Sequence, residues 1–524
     1  MMGRQKPPQP SLFYLHFNLD QRIPEKHLLR RVLATVDFDF VYREVEDLYG
    51  GNGNESVDPG VIVKLMLVMG LENVSSERYL MEILPARLDW LWFLGMDLDS
   101  PIPDHSVLSK ARRRWGPEVF RSFFVRVLWS CVEAGLVDGS KIFCDGSLID
   151  AKASRKSIVK VELVDLDRAS DELEMRLVDS ESPDTEKEPE DRAESNDSSA
   201  NDEFDSEGDG DELATVEPRL LSTTDPDAAV VTKRGAGPAR ARYKTHRAVD
   251  DRFGVITATI LTPGDQDEGH QLEALINQHQ ANTGDRVQTV AADTQYGTAD
   301  NYLMCHDRDI VTHIPPVQDV VRHTQEEGEY FSAREFTYDP STDSYQCPAA
   351  QTLRAWQKRP EKNALRYAAG AKVCGKCSLR NQCTSGKFRT ITRHVRQDLI
   401  DSMIAQAKTN EARRDLRRRK HLMEGSFGTG TQHGLKRCPW LGIDAATIHD
   451  LLVATTQNVK LLLRHGIGPT PTAVAAALHI VSQLSPTLDL ASRLPFGPQI
   501  LRFIRSLPPF FTPAHPSPPF LAPA

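Results

Sequence analysis

One stretch of the sequence excludes a folded core. Residues 161–217 contain 23 Asp or Glu and only four Lys or Arg, with no helical or strand-like apolar period. Such a segment cannot bury enough apolar surface to offset the loss of chain entropy on folding. We therefore expect an acidic, disordered insertion over about 155–235. The whole chain carries −10 and this stretch −19, so the remainder carries +9, which permits a nucleic-acid partner.

Residues 1–137 are expected to form an all-helical N-terminal domain. From Val119 to Val132, apolar residues recur three and four positions apart, which is the pattern of one buried helix face. Upstream, the run DHSVLSKARRR at 104–114 predicts a helix with four cations. These cations are Lys110, Arg112, Arg113 and Arg114. A solvated helix face and a DNA-contacting face are the two interpretations.

The sequence offers no membrane segment. No run of eighteen apolar residues occurs, and the N-terminus lacks the apolar core of a secretory signal. We therefore expect a cytoplasmic protein with no membrane partner. The last part of the chain, 466–524, is expected to be a proline-rich tail, since its final 30 residues contain nine prolines.

Residues 138–465 alternate strand and helix patterns. The predicted elements are a strand at 141–146, a hairpin over 241–265, a helix over 268–280, a strand ending at Asp293, a helix over 298–308, a strand at 309–315, and helices over 397–423 and 447–465. This is the order of an RNase H-like fold, an α/β class with a mixed five-stranded sheet flanked by helices. Its first and fourth strands end side by side.

Three carboxylates follow from this order. Asp145 closes the first strand, Asp293 the fourth, and Glu424 lies at the end of the 397–423 helix, before a glycine-rich turn. Oxygen ligands suit Mg²⁺ or Mn²⁺, and two such ions can activate an attacking oxygen and stabilise a leaving one. A single Asp at a strand end is more often a turn former or helix cap. The prediction depends on the order of all three.

At this point the sequence resembles DDE-type transposases of bacterial insertion sequences, over about residues 20–465. The motifs that carry the resemblance are VDPGVIVKLMLVMGLENVSSERYL, PDHSVLSKARRR, FCDGSLIDAKAS, YKTHRAVDDRFGVITATILTPGDQDEGH, VAADTQYG, HLMEGSFG and QNVKLLL. The resemblance implies a metal-binding catalytic triad at Asp145, Asp293 and Glu424. It also implies DNA strand cleavage and strand transfer at terminal inverted repeats, which the N-terminal domain helps to recognise.

The resemblance further implies partners. These are double-stranded DNA, as terminal inverted repeats and as target, and a homodimer or larger assembly that brings two ends together. The chain would work in the bacterial cytoplasm, at the nucleoid when bound to DNA. An RNase H-like nuclease without strand transfer and a non-catalytic DNA-binding protein derived from a transposase are the alternatives.

The sequence departs from the family near the glutamate. Many relatives carry Tyr and Arg seven and four residues before it and Lys seven after it, where this chain has Arg417, Lys420 and Thr431. Spacing still places a basic helix face beside Glu424. The candidate DNA contacts in this part of the chain are Arg413, Arg417, Lys420 and Lys436. A solvated basic face is the alternative.

Four of the eight cysteines fall close together: Cys347, Cys374, Cys377 and Cys383. In a chain without a secretion signal, this clustering favours metal ligation or reduced thiols over disulfides. The Cys-x2-Cys pair suits tetrahedral Zn²⁺, although the last gap of five residues is longer than in a usual second pair. We expect a small cysteine-bearing insertion over about 340–390 that interrupts the α/β domain and is a candidate zinc site.

Overall fold

A computed structural model describes part of the chain. The described residues are Met2, Arg4, 18–51, 54–161, 219–233, 236–317, 330–332, 335–360 and 363–465. The predicted tail at 466–524 and the acidic residues 162–218 lie outside the described residues.

The helices and strands of this part are as follows. The helices are α1 (Leu19–Arg22), α2 (Leu28–Thr35), α3 (Phe40–Val45), α4 (Pro59–Glu72), α5 (Glu77–Ile83), α6 (Leu88–Leu94), α7 (Ser106–Glu133), α8 (Leu272–Thr283), α9 (Ala299–Asp307), α10 (Ala371–Gly375), α11 (Gln397–Gln406), α12 (Asn410–Gln432) and α13 (Ile443–His465). The strands are β1 (Lys141–Asp150), β2 (Ile158–Val161), β3 (Arg219–Ser222), β4 (Ala229–Lys233), β5 (Ala236–Asp250), β6 (Ile256–Pro263), β7 (Thr289–Ala291), β8 (Val311–His313), β9 (Thr337–Asp339), β10 (Ser344–Gln346), β11 (Thr352–Arg359), β12 (Ala364–Ala368) and β13 (Thr390–His394).

The N-terminal region is helical, as predicted. Helix α4 begins where Pro59 occupies its first turn and the Asp58 carboxylate accepts the Gly60 backbone N–H at 2.7 Å. Helix α7 is kinked at Gly116, whose φ of 66° is a conformation that glycine adopts without a steric penalty. Among the described residues, no single helix is long and apolar enough to cross a membrane, and α4 passes such a test only together with residues 77–86, at a bend of 97°.

The central sheet is mixed. Strand β5 pairs antiparallel with β1 on one edge and with β6 and β4 on the other, whereas β7 pairs parallel with β1 and with β8. Leaving β4 aside, the spatial order is β6–β5–β1–β7–β8. The mixed α/β prediction is confirmed, but the sheet has six strands because β4 extends the β6 edge.

The prediction of disorder over 155–235 is wrong at both ends. Strands β2 and β3 form a two-stranded ribbon, and Ser157 and Ser222 hydroxyls hydrogen bond at 3.0 Å beside it. Asp225 is buried and accepts the Tyr243 hydroxyl at 2.6 Å. The apolar residues in these flanks pair with neighbouring strands, which a local composition average does not reveal.

The glycine-rich turn predicted after Glu424 is also wrong. Helix α12 continues through Gly425, Gly428 and Gly430 to Gln432. Gly430 is buried, and a Cβ there would lie 2.8 Å from the Leu435 side chain. Tertiary packing therefore overrides the low helix propensity of glycine in this turn.

Two apolar cores lie on opposite faces of the sheet. On one face, α2 to α7 pack with α13, α12 and the sheet residues Phe143, Val249 and Ile256. On the other, α8, α9 and α11 cover Ile142, Cys144 and neighbouring strand residues. The sheet is therefore buried from both sides, and its open strand ends are where polar groups can meet.

The cysteine-bearing stretch has a sheet of its own. Strands β9 to β13 form a five-stranded antiparallel sheet in the order β13–β12–β11–β10–β9. We call residues 335–396, without 361–362, the cysteine module. Its apolar core is small, since the buried apolar side chains that cluster there are Phe336, Tyr345, Leu353, Tyr367 and Ile391.

Candidate active site

Two of the predicted acids meet where β1 leaves its parallel neighbour. Strands β1 and β7 pair from Lys141 to Phe143 only, with Phe143 opposite Ala291. Asp145 and Asp293 each lie two residues further on. Asp293 begins a 3-10 turn and accepts the Gln295 backbone N–H at 2.9 Å, which turns the chain away from β1. The structure therefore brings Asp145 and Asp293 together beside the end of β7. The prediction that Asp145 closes its strand is wrong, because β1 continues to Asp150, paired with β5 along nearly its whole length.

A third carboxylate, which the sequence reasoning missed, joins them. Glu268 lies in the loop after β6, and its carboxylate oxygen falls within 4.8 Å of those of Asp145 and Asp293, the three oxygens being mutually that close. Gly146 makes room for it, because a Cβ there would lie 2.9 Å from the Glu268 Cδ. We call Asp145, Glu268 and Asp293 the acidic cluster. The Asp-Gly pair after a predicted strand was the available signal for a close approach.

Two cations flank the acidic cluster. Arg419 of α12 donates to Asp145 at 2.7 Å, and the Lys244 ammonium lies 3.5 Å from the Glu268 carboxylate. Burial raises the pKa of Asp145, which Arg419 opposes and the Asp293 charge reinforces. Burial likewise raises the pKa of Glu268, against the effect of Lys244. The three carboxylates of the acidic cluster face two cations, and a bound divalent cation would offset the remaining negative charge.

Glu424 is not part of this cluster. It is exposed on α12, whereas Arg419 of the same helix points at Asp145. Five helical residues separate the two, which is a rotation of about 140° around the helix axis. The predicted basic face is present, since Arg413, Arg417 and Lys420 are exposed as Glu424 is.

Buried polar contacts fix α12 against the sheet. Asp415 accepts from Lys141 of β1 at 2.9 Å and lies 2.7 Å from the His313 Nδ1 of β8. The Asp145 partner across the strand pair is Arg247, which is fully buried and pairs with Asp450 of α13 at 3.0 Å. Breaking such a pair leaves an unpaired buried charge. The contacts of Asp415 with β1 and β8 therefore fix the rotation of α12.

The four cations predicted on α7 divide into two kinds. Lys110, Arg113 and Arg114 are exposed. Arg112 is buried, pairs with Glu77, and lies 3.7 Å from the centre of the Trp440 ring. The predicted DNA contact is therefore wrong for Arg112 in this structure, because its guanidinium is used in packing.

A basic pocket lies further along β1. It has a volume of about 180 Å³ and is lined by Asp150, Arg155, Arg240 and Arg437 among others. Asp150 accepts from Arg240 at 3.0 Å and from Arg242 at 2.7 Å. Arg155 and Arg437 are exposed, with no acidic partner among the described residues. Asp150 lies five residues beyond Asp145, which is about 17 Å along an extended strand. Lys436, also exposed, adjoins the pocket in sequence.

A buried histidine lies beside the acidic cluster without joining it. His246 sits opposite Gly146 on β5, and its Nε2 lies 2.9 Å from the Thr262 hydroxyl. Burial lowers the pKa of His246 to about 4, so the ring is neutral near pH 7. Tyr296, just after Asp293, is fully buried with no hydroxyl partner within the described part of the chain.

Two protein-family models match the chain. A family described as Transposase domain (DUF772) matches residues 17–114, and one described as Transposase DDE domain matches residues 346–463. These matches confirm the kind of family that the sequence motifs indicated. Glu424 and the four cysteines lie within the second match, whereas the acidic cluster lies between the two. None of the curated proteins matches the chain.

Proposed function

We propose that this chain, a DDE-type insertion-sequence transposase by its two family matches, cuts DNA at the element's terminal inverted repeats and joins the freed ends to target DNA. The observation that carries the proposal is the convergence of Asp145, Glu268 and Asp293 beside the end of β7. The strand order β6–β5–β1–β7–β8, with two antiparallel and two parallel pairings, supports an RNase H-like sheet.

The acidic cluster fits a hard divalent cation. Its donors are carboxylate oxygens, which Mg²⁺ and Mn²⁺ prefer, and burial, with a smaller contribution from the neighbouring carboxylates, raises the pKa values of Asp145 and Glu268. Bound there, one or two Mg²⁺ ions would activate an attacking oxygen and stabilise a leaving oxygen at phosphorus. Asp145 and Asp293 would hold them, with Glu268 as the third carboxylate.

Glu424 keeps the role predicted from the family resemblance, but in the DNA-bound state. Its exposed face, with Arg413, Arg417 and Lys420, is the basic side of α12. DNA bound along that face would present its backbone to these cations. Arg419 donates to Asp145, and a cation at the acidic cluster would compete for that carboxylate. The guanidinium would then be free to contact a phosphate.

The basic pocket at the end of β1 is proposed as a second DNA contact. Arg155 and Arg437 are exposed, and the pocket volume of about 180 Å³ admits a backbone phosphate. Its distance from Asp145, about 17 Å along the strand, corresponds to a few nucleotides of a bound strand. Phosphate contacts of this kind position DNA without reading its sequence. Two DNA ends have to meet, so we propose a homodimer or larger assembly.

The test is cleavage of labelled linear DNA that carries the element's own ends, with Mg²⁺ or Mn²⁺. Wild type is compared with Asp145→Asn and Asp293→Asn. Cutting at the element boundary that both substitutions abolish supports the proposed site, and joined products separate a transposase from a nuclease. Specific binding of the ends without any cutting in either metal would contradict the catalytic proposal and favour a non-catalytic DNA-binding protein.

A further inference from the structure

We infer that Cys347, Cys374, Cys377 and Cys383 bind one structural zinc ion that closes the cysteine module. This site is separate from the acidic cluster and does not depend on the proposed reaction. Zinc bound by four thiolates leaves no open position for a substrate, so its role is to stabilise the fold.

Distant parts of the module bring the four thiols to the lining of one cavity, although no three of their sulfur atoms lie within 4.8 Å of one another. Cys347 follows β10, Cys374 lies in α10, and Cys383 ends the 3-10 turn over 380–382. All four line the same cavity of about 30 Å³, which is space for one ion or water molecule. All four are free thiols, and none is fully buried. Their convergence from separate elements is what a sequence spacing alone cannot establish.

The backbone around Cys347 is arranged to support a thiolate. The Gln351 backbone N–H donates to the Cys347 sulfur at 3.3 Å, across a turn held by a bond of 2.8 Å from the Ala350 N–H to the Cys347 carbonyl. Ala350 adopts a φ of 54° to complete this turn, a conformation that costs a non-glycine residue energy. A thiolate accepts an N–H much better than a neutral thiol does. Metal binding would therefore strengthen a bond that is already formed.

The charges around the cavity fit a zinc–thiolate centre. Without a metal, the thiolates would repel one another. Zinc removes that repulsion, and Arg380 and Arg389, which also line the cavity, offset the remaining negative charge.

The module needs such a centre for its stability. Its core is a cluster of five buried apolar side chains, and Cys347 and Cys383 are among the residues that pack against them. Small folds with cores of this size are usually held by disulfides or a metal. Within the described residues, the acidic cluster is the one set of three potential ligands within 4.8 Å of one another. The thiols must therefore draw together on the ion, which couples binding to folding of the module.

The test is zinc content of the full-length chain, purified without chelators and measured by inductively coupled plasma mass spectrometry. We expect about one zinc per chain, and about one per chain also for the control Cys305→Ala, which removes a buried thiol outside the module. Cys374→Ser with Cys377→Ser should lose the zinc. Zinc retained by this double variant, or wild type without zinc but with four free thiols, would overturn the inference.

A second measurement, on wild type alone, tests the inference if the double variant fails to fold. Native wild type is titrated with a thiol reagent while released zinc is followed with a chromogenic chelator. We expect release to track modification of four thiols, and prior chelation to make those thiols react faster. Four thiols that react freely before any chelator is added, without release of zinc, would contradict the site.

Discussion

The acidic cluster and the cysteine module both gather candidate metal ligands, yet very different amounts of packed structure support them. Asp145 on β1 and Asp293 just after β7 lie in a sheet that is buried between two large apolar cores, and polar contacts from Lys141 to Asp415 and from Arg247 to Ser426 hold α12 against it. The core of the cysteine module is a cluster of five buried apolar side chains. A metal at the acidic cluster would therefore bind to a scaffold that already exists, whereas a metal at the cysteines would help to form its own.

Like charges sharpen this contrast. Burial raises the pKa values of Asp145 and Glu268, and the neighbouring carboxylates add to the shift, so the charged forms are disfavoured in the folded chain. Their ionisation opposes folding as pH rises through the range where they titrate. The core has to hold the acids in place against this cost. A site held in this way is ready to take a cation without a large rearrangement.

The largest effect expected is on catalysis without loss of the fold. Asp145→Asn and Asp293→Asn should each lower DNA cutting by ~10³-fold or more, since a lost metal contact costs several kcal/mol. The thermal unfolding midpoint of metal-free Asp145→Asn should be unchanged or slightly higher, because the charge that burial disfavours is gone. Cutting assays and calorimetry measure the two effects. A midpoint that falls by many degrees would mean that Asp145 supports the core.

The next prediction separates the two glutamates. Glu268→Gln should weaken Mn²⁺ binding to the free chain, because Glu268 belongs to the acidic cluster. Glu424→Gln should leave Mn²⁺ binding to the free chain unchanged and still lower DNA cutting, because Glu424 is proposed to act in the DNA-bound state. Isothermal titration with Mn²⁺, followed by cutting assays on both variants, checks this. Equal loss of Mn²⁺ binding in the two variants would contradict the observed rotation of α12.

Metal removal should affect the acidic cluster and the cysteine module in different ways. EDTA at neutral pH should stop cutting reversibly. Stripping zinc with a stronger chelator should lower the thermal unfolding midpoint of the cysteine module, since binding and folding are coupled there. Differential scanning calorimetry before and after each treatment, with Mg²⁺ or Zn²⁺ added back, measures both. An unchanged unfolding profile after complete zinc loss would contradict a structural role for zinc.

A smaller effect is expected at the basic pocket. Arg155→Ala with Arg437→Ala should lower DNA affinity by roughly 10-fold at low salt and reduce the salt dependence by about two phosphate contacts. Arg286→Ala is the matched control, since Arg286 is an exposed arginine already paired with Asp309. Fluorescence anisotropy at several salt concentrations gives both numbers. An equal loss of DNA affinity in the control would mean that the pocket has no special role in DNA binding.

The smallest effect concerns the acidic stretch. Its charge predicts competition with DNA for basic surfaces, so deletion should raise DNA affinity at low salt. The deletion has to be 163–217, because β2, β3 and Asp225 are ordered parts of the fold. Anisotropy on the deleted and full chains measures this. Unchanged affinity at low salt would make the stretch an inert insertion.

Local patterns were sufficient for much of this protein and insufficient at identifiable points. The alternation of strands and helices predicted the mixed sheet, and the strand ends predicted that Asp145 and Asp293 would meet. Glu268 was missed because it lies in a loop whose position depends on packing around Gly146. Arg112 was misassigned because its contact with Trp440 joins residues far apart in sequence.

The rotation of α12 could not be read from spacing either. The pattern of Arg413, Arg417, Lys420 and Glu424 shows that they share one face, but it does not show which way that face points. Asp415 and Arg419 decide it, through contacts with β1 and β8. The glycines at 425–430 favour a turn by propensity alone, and only the packing of Gly430 explains why the helix continues.

The acidic cluster as the cation site is tested most directly by metal-directed backbone cleavage. Fe²⁺ replaces Mg²⁺ in the full-length chain, and ascorbate with hydrogen peroxide then generates radicals that cut the polypeptide next to the bound iron. We predict cuts near Asp145, Glu268 and Asp293 that excess Mg²⁺ suppresses and Asp145→Asn abolishes. Mg²⁺-sensitive cuts around Glu424 with none near Asp145 or Glu268 would contradict the account.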